Sequence, residues 1–246
     1  MKSFIPWIGG KSLLANKITS MFPEKIDRYI EVFGGGGSVL FAKEKHAPLE
    51  VYNDANGHLV NLFRCIRFHC QELQREISGY VNSREVFEEI RERINMHGFT
   101  DIQRAAMFYI MIKISYGADG RTYGCNKKNI SPDYLSEIEK RLKTGAGVVI
   151  EHKDFENLIK VYDRPGALFY CDPPYHKTEK YYDAEFNDSD HERLNACLRG
   201  IKGKFVLSYN DDEYIRNLYK DFNITAVSRQ NNLSRGEYKE LIIANY

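Results

Sequence analysis

The stretch that most constrains this chain is Ala167-Leu168-Phe169-Tyr170-Cys171, an apolar run stopped by Asp172-Pro173-Pro174-Tyr175. A short apolar run without polar alternation predicts a strand buried on both faces, which requires layers on either side of a sheet. The prolines end it, because neither has an N–H to give to the ladder. Open α/β sheets carry their chemistry at that carboxyl edge, and here the edge holds an aspartate, a stiff backbone and an aromatic ring. A buried strand with a plain proline turn is the alternative, and the other segments decide between them.

Those segments alternate as an α/β sheet protein does. Arg28-Tyr29-Ile30-Glu31-Val32-Phe33 is a strand, Gly34-Gly35-Gly36-Gly37 a turn, and Ser38 to Lys43 a helical piece. Four glycines in a row cost too much chain entropy to be a plain connector. Strand, glycine turn and helix open a nucleotide-binding βαβ unit. The next strand, Leu49 to Asn53, ends in Asp54, about 20 residues past Gly34, where a carboxylate accepts hydrogen bonds from ribose hydroxyls. The dinucleotide pattern itself fails, since it needs glycine where Val39 stands. Upstream, Gly9-Gly10-Lys11 precedes a helical pattern of Leu13, Leu14, Ile18 and Met21, and places Lys11 at a helix start. It is not a phosphate loop, because Phe4 occupies the position of the first required glycine.

Between Gly57 and Leu142 the pattern turns helical. His58 to Tyr80 carries Leu59, Leu62, Phe63, Ile66, Cys70, Leu73 and Ile77 on one face, predicting a single helix. Ser83 to Met96 is a charged helix, and Thr100-Asp101 opens one that is apolar nearly all round. Ser131-Pro132 caps a last helix to Leu142. These helices interrupt the strand–helix alternation and so form an insertion, residues 57–144, in a domain made of 1–56 and 145–246. Before the last helix runs Ser115 to Lys128, with Tyr116, Arg121, Tyr123, Lys127 and Lys128. Aromatics interleaved with cations suit bases and phosphates, although a solvated hairpin has the same composition.

The sheet pattern resumes at Gly147 to Glu151, and the acid that follows, Asp154, either reaches a second cofactor group or caps a helix. After Tyr175 comes a polar, aromatic loop, then a helix opened by Ser189-Asp190-His191-Glu192 as a capping box. Lys204 to Asn210 is a strand, and Asp211 can cap the helix to Tyr219. Ile224–Ser228 and Glu240–Ala244 are strands with no helix between them, so they form a hairpin and put an antiparallel strand on a parallel sheet.

Trp7-Ile8-Gly9-Gly10-Lys11, Phe33 to Gly37, Asn53-Asp54, Asp154-Phe155, Asp172 to Tyr175 and Leu207-Ser208-Tyr209-Asn210 occur in that order over nearly the whole chain. In these segments the chain closely resembles the D12 class of DNA adenine-N6 methyltransferases, the Dam-like family. The resemblance implies a Rossmann-like S-adenosylmethionine-dependent fold: a mostly parallel seven-stranded sheet, an antiparallel C-terminal hairpin strand and a small helical target-recognition insertion. It implies S-adenosylmethionine as cofactor, held by Trp7, Gly10, Lys11, Phe33, Gly34, Gly35, Gly36, Asp54, Asp154, Phe155 and Asp172. Trp7 and Lys11 would stand near the methionine moiety, Asp54 at the ribose, and Asp154-Phe155 at the adenine. Asp172, Pro173, Pro174 and Tyr175 would form the catalytic motif, with Asp172 and the Pro173 carbonyl accepting the N–H bonds of a flipped adenine and Tyr175 stacking on it. Double-stranded DNA would meet the Ser115–Lys128 loop together with Lys177 and Lys180.

The totals agree with such a protein and exclude others. No apolar stretch of the 246 residues reaches the roughly 20 needed to cross a bilayer. Five cysteines without a C-x-x-C pair argue for a reducing compartment and against a disulfide framework, and the resemblance implies the cytoplasm of a prokaryotic cell or of a virus-infected one. Cys65, His69 and Cys70 lack the ligand spacing of a zinc site, so no metal is expected. A net charge of +1 neither supports nor excludes a nucleic-acid binder, which needs only a basic face. The competing functions are methylation of RNA or of a protein amide, a catalytically silent nucleic-acid-binding module, and a dinucleotide oxidoreductase. The aspartate at position 172 favours adenine over glutamine, since family members acting on glutamine usually carry asparagine there.

Overall fold

The computed structural model describes residues 1–125, 129–177, 186–230 and 237–246. Seven strands make one sheet: β1 Arg28–Glu31, β2 Leu49–Asn53, β3 Val148–Glu151, β4 Ala167–Cys171, β5 Lys204–Asn210, β6 Asn223–Gln230 and β7 Glu237–Ala244. Their order is β3-β2-β1-β4-β5-β7-β6. The first five run parallel, β7 is antiparallel to β5, and β6 is antiparallel to β7. The seven-stranded sheet with its closing hairpin is therefore the one expected. The strand order reverses between β1 and β4, which opens a crevice outside their carboxyl ends.

Helices cover both faces, which is why β4 is buried at every position. One face presents Tyr29, Tyr52, Leu168, Tyr170, Val206 and Ile242 to α1 (Ala15–Ser20), α2 (Gly57–Phe68), α3 (Cys70–Ser78), α5 (Asp101–Ile114) and α6 (Leu135–Lys143). The other presents Ile30, Val51, Phe169, Phe205, Leu207 and Ile243 to α7 (Phe155–Tyr162), α8 (Asp188–Arg199) and α9 (Glu213–Leu218). The hydrophobic core of the first face runs without a break from the sheet into the inserted helices, where α4 (Arg84–Arg93) adds Phe87 and Ile90. Helix α5 is held between α2, α3 and α4, the burial its all-round apolar sequence requires.

Several boundaries differ from expectation for local reasons. The single helix foreseen from His58 to Tyr80 breaks at His69, whose backbone leaves the helical region, and both pieces then pack against α5. Ser38 to Lys43 forms only a 3-10 turn at Leu40–Ala42, and Arg141 takes the carbonyls of Leu40 and Lys43. Helix α6 starts at Leu135, because Ser131 and Pro132 are spent on a preceding turn. The capping box of α8 is Asn187 with Asp190, and Ser189 is itself bound to the Asn187 side chain. Asp212 caps α9, while Asp211 pairs with Arg216 through two hydrogen bonds.

One ion pair joins the inserted helices to the sheet. Arg141 of α6 donates to both oxygens of Glu50 on β2, at 2.8 and 2.7 Å, and both side chains are buried. Breaking such a pair from one side leaves an uncompensated buried charge. Arg141→Ala is expected to lower the unfolding free energy by about 3–5 kcal/mol, and Arg141→Met with Glu50→Leu by clearly less, measured by urea denaturation.

Candidate active site

The crevice at the carboxyl ends of β1, β2 and β4 is a cavity. Its floor is the glycine turn after β1. A Cβ on Gly34 would stand 2.2 Å from the Tyr52 ring, so only glycine lets the turn lie on that tyrosine. Gly35 has φ +49°, and a Cβ there would meet the Trp7 indole at 2.6 Å. The turn is tied down from β2: the Tyr52 hydroxyl donates to the Gly35 carbonyl at 2.7 Å, and the Gly35 N–H donates to Asp54 Oδ2 at 2.7 Å. Asn53 secures the neighbouring loops, donating to the carbonyls of Val32 and Lys153.

Most of the expected cofactor residues meet here. Trp7, Gly10, Lys11, Phe33, Gly34, Gly35, Gly36, Asp54 and Asp172 all line the cavity. Asp154 and Phe155 do not. Asp154 caps α7 by accepting the Glu156 N–H at 3.0 Å and pairs with Arg193 at 2.7 Å. Phe155 stands behind Phe33 and Phe186, with the Arg193 guanidinium over its own ring. In the fold Asp154 is a helix cap paired with Arg193, and Phe155 packs in the core beside the cavity residues Phe33 and Phe186.

At the other end stands Asp172, one residue past β4. Lys11 reaches its Oδ1 at 2.9 Å and Ser208 donates to the same oxygen at 2.8 Å. Among the described residues Oδ2 has no partner, and the side chain is 16% exposed. Burial pushes the Asp172 carboxyl above its ordinary value, against the opposing pull of Lys11 and Ser208. The Lys11 ammonium is itself buried; it also donates to the Gly9 carbonyl at 2.7 Å and lies 4.7 Å over the Tyr175 ring. All three of its donor directions are used within the protein.

Of the other motif residues, Pro174 lines the cavity. Tyr175 is buried, its hydroxyl donating to Glu240 Oε2 of β7 at 2.9 Å. The ring expected to stack on a base therefore lies beneath Lys11 rather than on the cavity wall. His176 follows, its Nδ1 3.0 Å from Asp212, which also accepts from Lys177.

Residues foreseen at DNA separate into three groups. Arg121 lines the cavity and Tyr116 is 72% exposed on the turn after α5. Tyr123 is tied inward, donating to Asn82 and packing against Phe87 beneath Arg84. Lys127, Lys128 and Lys180, with most of the loop after Tyr175, lie outside the described residues.

The cavity also contains residues not foreseen. Phe108, Met111 and Ile112 at the end of α5 form an apolar wall; an all-round apolar helix gave no sign that one stripe faces a ligand. Glu31, the last residue of β1, is buried and accepts from Tyr29 at 2.6 Å. Its signal was a glutamate inside an apolar strand directly before the glycines. Burial, with a smaller push from Asp172, raises its pKa to about 8. Burial raises Asp54 as well, against the N–H donors of Asn56 and Gly35.

A mostly parallel sheet with a glycine cradle and acids at its carboxyl edge is the framework of an α/β methyltransferase. A model of the D12 class N6 adenine-specific DNA methyltransferase family matches residues 7–233, and the chain belongs to that family. It is 29% identical to the Type II methyltransferase M1.LlaDCHI of Lactococcus lactis subsp. cremoris, across 100% of this chain and 96% of that protein. It is 27% identical to the Type II methyltransferase M.MjaIII of Methanocaldococcus jannaschii, across 100% of this chain and 99% of that protein. With the Retron Ec67 DNA adenine methylase of Escherichia coli the identity is 25%, across 97% of this chain and 88% of that protein. No described helix is long and apolar enough to cross a membrane, and no cluster of three or more metal-ligating side chains occurs among the described residues.

Glu31 gives a pH prediction. Its carboxyl is held protonated in the fold, while in the unfolded chain it ionises near 4.5. The unfolded state thus releases this proton first, and stability falls as pH rises from about 4.5 to about 8, by up to about 1.4 kcal/mol per unit. Asp54 and Asp172 act in the same direction. Glu31→Gln should make the slope of unfolding free energy between pH 5 and 8 visibly shallower in denaturant titrations.

Proposed function

We propose that this chain transfers a methyl group from S-adenosylmethionine to the N6 amino group of an adenine extruded from double-stranded DNA. The observation that carries the reading is the state of Asp172: Lys11 and Ser208 engage one of its oxygens, and the residue lines the cavity that holds the glycine cradle. The cavity residues fit the cofactor. Gly34 and Gly35 leave room where a Cβ would obstruct, and the carboxyl groups of Glu31, Asp54 and Asp172 line the cavity with acceptor oxygens for the hydroxyl and ammonium groups of the ligand. Trp7, Phe33 and Phe108 supply apolar walls.

When bound, S-adenosylmethionine supplies an electrophilic methyl group on sulfur. The adenine amino nitrogen is a poor nucleophile, because its lone pair is delocalised into the ring. Asp172 Oδ2 and the Pro173 carbonyl accept its two N–H bonds, which draws the nitrogen toward tetrahedral geometry and localises the lone pair. Pro173 and Pro174 have no N–H of their own and hold this backbone stiff. Asp172 Oδ2 is placed to receive the proton that the amino group would give up upon methylation. Lys11 and Ser208 both favour the charged form of Asp172 against the upward push of its burial. Positioning and preorganised charge do the rest, with no covalent bond to the enzyme.

A base inside a duplex cannot reach this cavity, so the adenine has to leave the stack. The exposed Tyr116 and the cavity-lining Arg121 are our candidates to meet the DNA. We assign residues 57–144 the recognition part and 1–56 with 145–246 the catalytic part. In this division α5 belongs to both, since its end walls the cavity.

Purified protein is expected to move labelled methyl groups from S-adenosylmethionine to adenine in unmethylated duplex DNA. Asp172→Asn retains an oxygen for Lys11 but loses the charge, and should lower kcat by at least about 100-fold. Its affinity for the cofactor, measured by calorimetry, should stay within a few-fold. Transfer by Asp172→Asn at the wild-type rate would refute the assigned role. Long-read detection of modified adenines in DNA from expressing cells would supply the target sequence.

A further inference from the structure

Asp172 and Ser208 are neighbours by register. Cys171 of β4 pairs with Leu207 of β5, so positions 172 and 208 follow side by side on one face of the sheet. Ser208 is completely buried, with its hydroxyl 2.8 Å from Asp172 Oδ1 and 3.4 Å from the Cys171 carbonyl. A hydroxyl has one hydrogen, and the nearer, charged acceptor takes it. The Tyr170 hydroxyl, 3.1 Å from Ser208 Oγ, must then be the donor of that second contact. The result is a one-way chain, Tyr170 to Ser208 to Asp172, in which each bond polarises the next.

Lys11 cannot do the same work. An ammonium on a flexible stem is a point charge and leaves the carboxylate free to turn. The terminal torsion of aspartate is broad and two-fold, so the plane of an unguided carboxylate is poorly defined. A hydroxyl mounted on the adjacent strand does define it. We propose that Ser208, backed by Tyr170, is a positioning residue that captures Oδ1 and thereby presents Oδ2 alone to the adenine amino group. The proposal rests on the methyl-transfer reading for its consequence, though not for the geometry. Because Oδ1 already faces two donors, a proton arriving at Asp172 goes to Oδ2.

The test compares the wild-type chain with Ser208→Ala, Ser208→Thr and Tyr170→Phe. The first readout needs no DNA: isotope-edited infrared titration of the Asp172 carboxyl. Lys11, Glu31, Glu240 and Tyr175 also act electrostatically at this site and are the same in every variant. Losing the Ser208 donor removes stabilisation of the charged form, so the Asp172 titration should move to higher pH in Ser208→Ala and return toward wild type in Ser208→Thr. The second readout is kcat against pH on unmethylated duplex DNA. Its acid limb should move up with the titration, and kcat at neutral pH should fall about 10- to 100-fold. KM for S-adenosylmethionine should hold within about twofold, since uniform binding is untouched. If Ser208→Ala does not fold, Tyr170→Phe carries the same comparison with a smaller shift. A folded Ser208→Ala protein with an unmoved titration and an unmoved acid limb would overturn the proposal. A moved titration in a wild-type background that methylates no DNA would support the Ser208–Asp172 tie while refuting the DNA reading.

Discussion

The contact on which the site depends is the buried pairing of Lys11 with Asp172. It joins two segments far apart in the chain, the loop before α1 and the end of the central strand. Removing either partner would strand a charge away from water, which commonly costs several kcal/mol. The pairing also transmits position. Lys11 holds the Gly9 carbonyl, Gly10 bonds back to Trp7, and Trp7 lies against Gly35 and Gly36. The Asp172 carboxylate and the glycine cradle are therefore one mechanical unit, although they come from strands β4 and β1. A ligand in the cavity meets a preset distance between its two ends.

The second buried pair, Arg141 with Glu50, does for the inserted helices what Lys11 does for the active-site loop. Arg141 also takes the Leu40 and Lys43 carbonyls, which are left open by a short 3-10 turn. The inserted helices and the sheet are thus joined through a fork of fixed geometry rather than by apolar contact alone. An enzyme that must place one base within bonding distance of one carboxylate gains from such a joint. Rotation of the insertion would carry the end of α5, and with it the Phe108 wall, away from the glycine turn.

What was legible in the sequence follows the range of the forces involved. The central strands were readable, because burial on both faces leaves unbroken apolar runs such as Ala167–Cys171, and the last two because no helical pattern separates them. Helix ends were readable only to within a few residues, since Asp211 and Asp212, or Asn187 and Ser189, compete for the same cap and the winner depends on partners such as Arg216. The cradle, Lys11, Asp54 and Asp172 could be assembled from the matched segments. Asp154 read equally as a cap or as a ligand residue, and its pairing with Arg193 was hidden because that partner comes from α8, far along the chain. Ser208 and Glu240 had no assigned role, because their partners Asp172 and Tyr175 are set by strand register, which no local pattern reveals. The inward turn of Tyr175 has the same origin: its anchor, Glu240, stands on the last strand.

Strand β7 is made after β6 yet lies between β6 and β5. During synthesis the β5 edge therefore stays bare until the hairpin folds back and inserts its later strand inward. A bare edge is a template for pairing with other chains, and contacts this distant in sequence form slowly. The cofactor loops are built from the first strands to emerge, whereas Glu240, which anchors Tyr175, arrives with the last. A ribosome thus releases a chain able to gather its ligand pocket before the motif that uses it is secured, and competence to act on a base is conferred only when the sheet is completed.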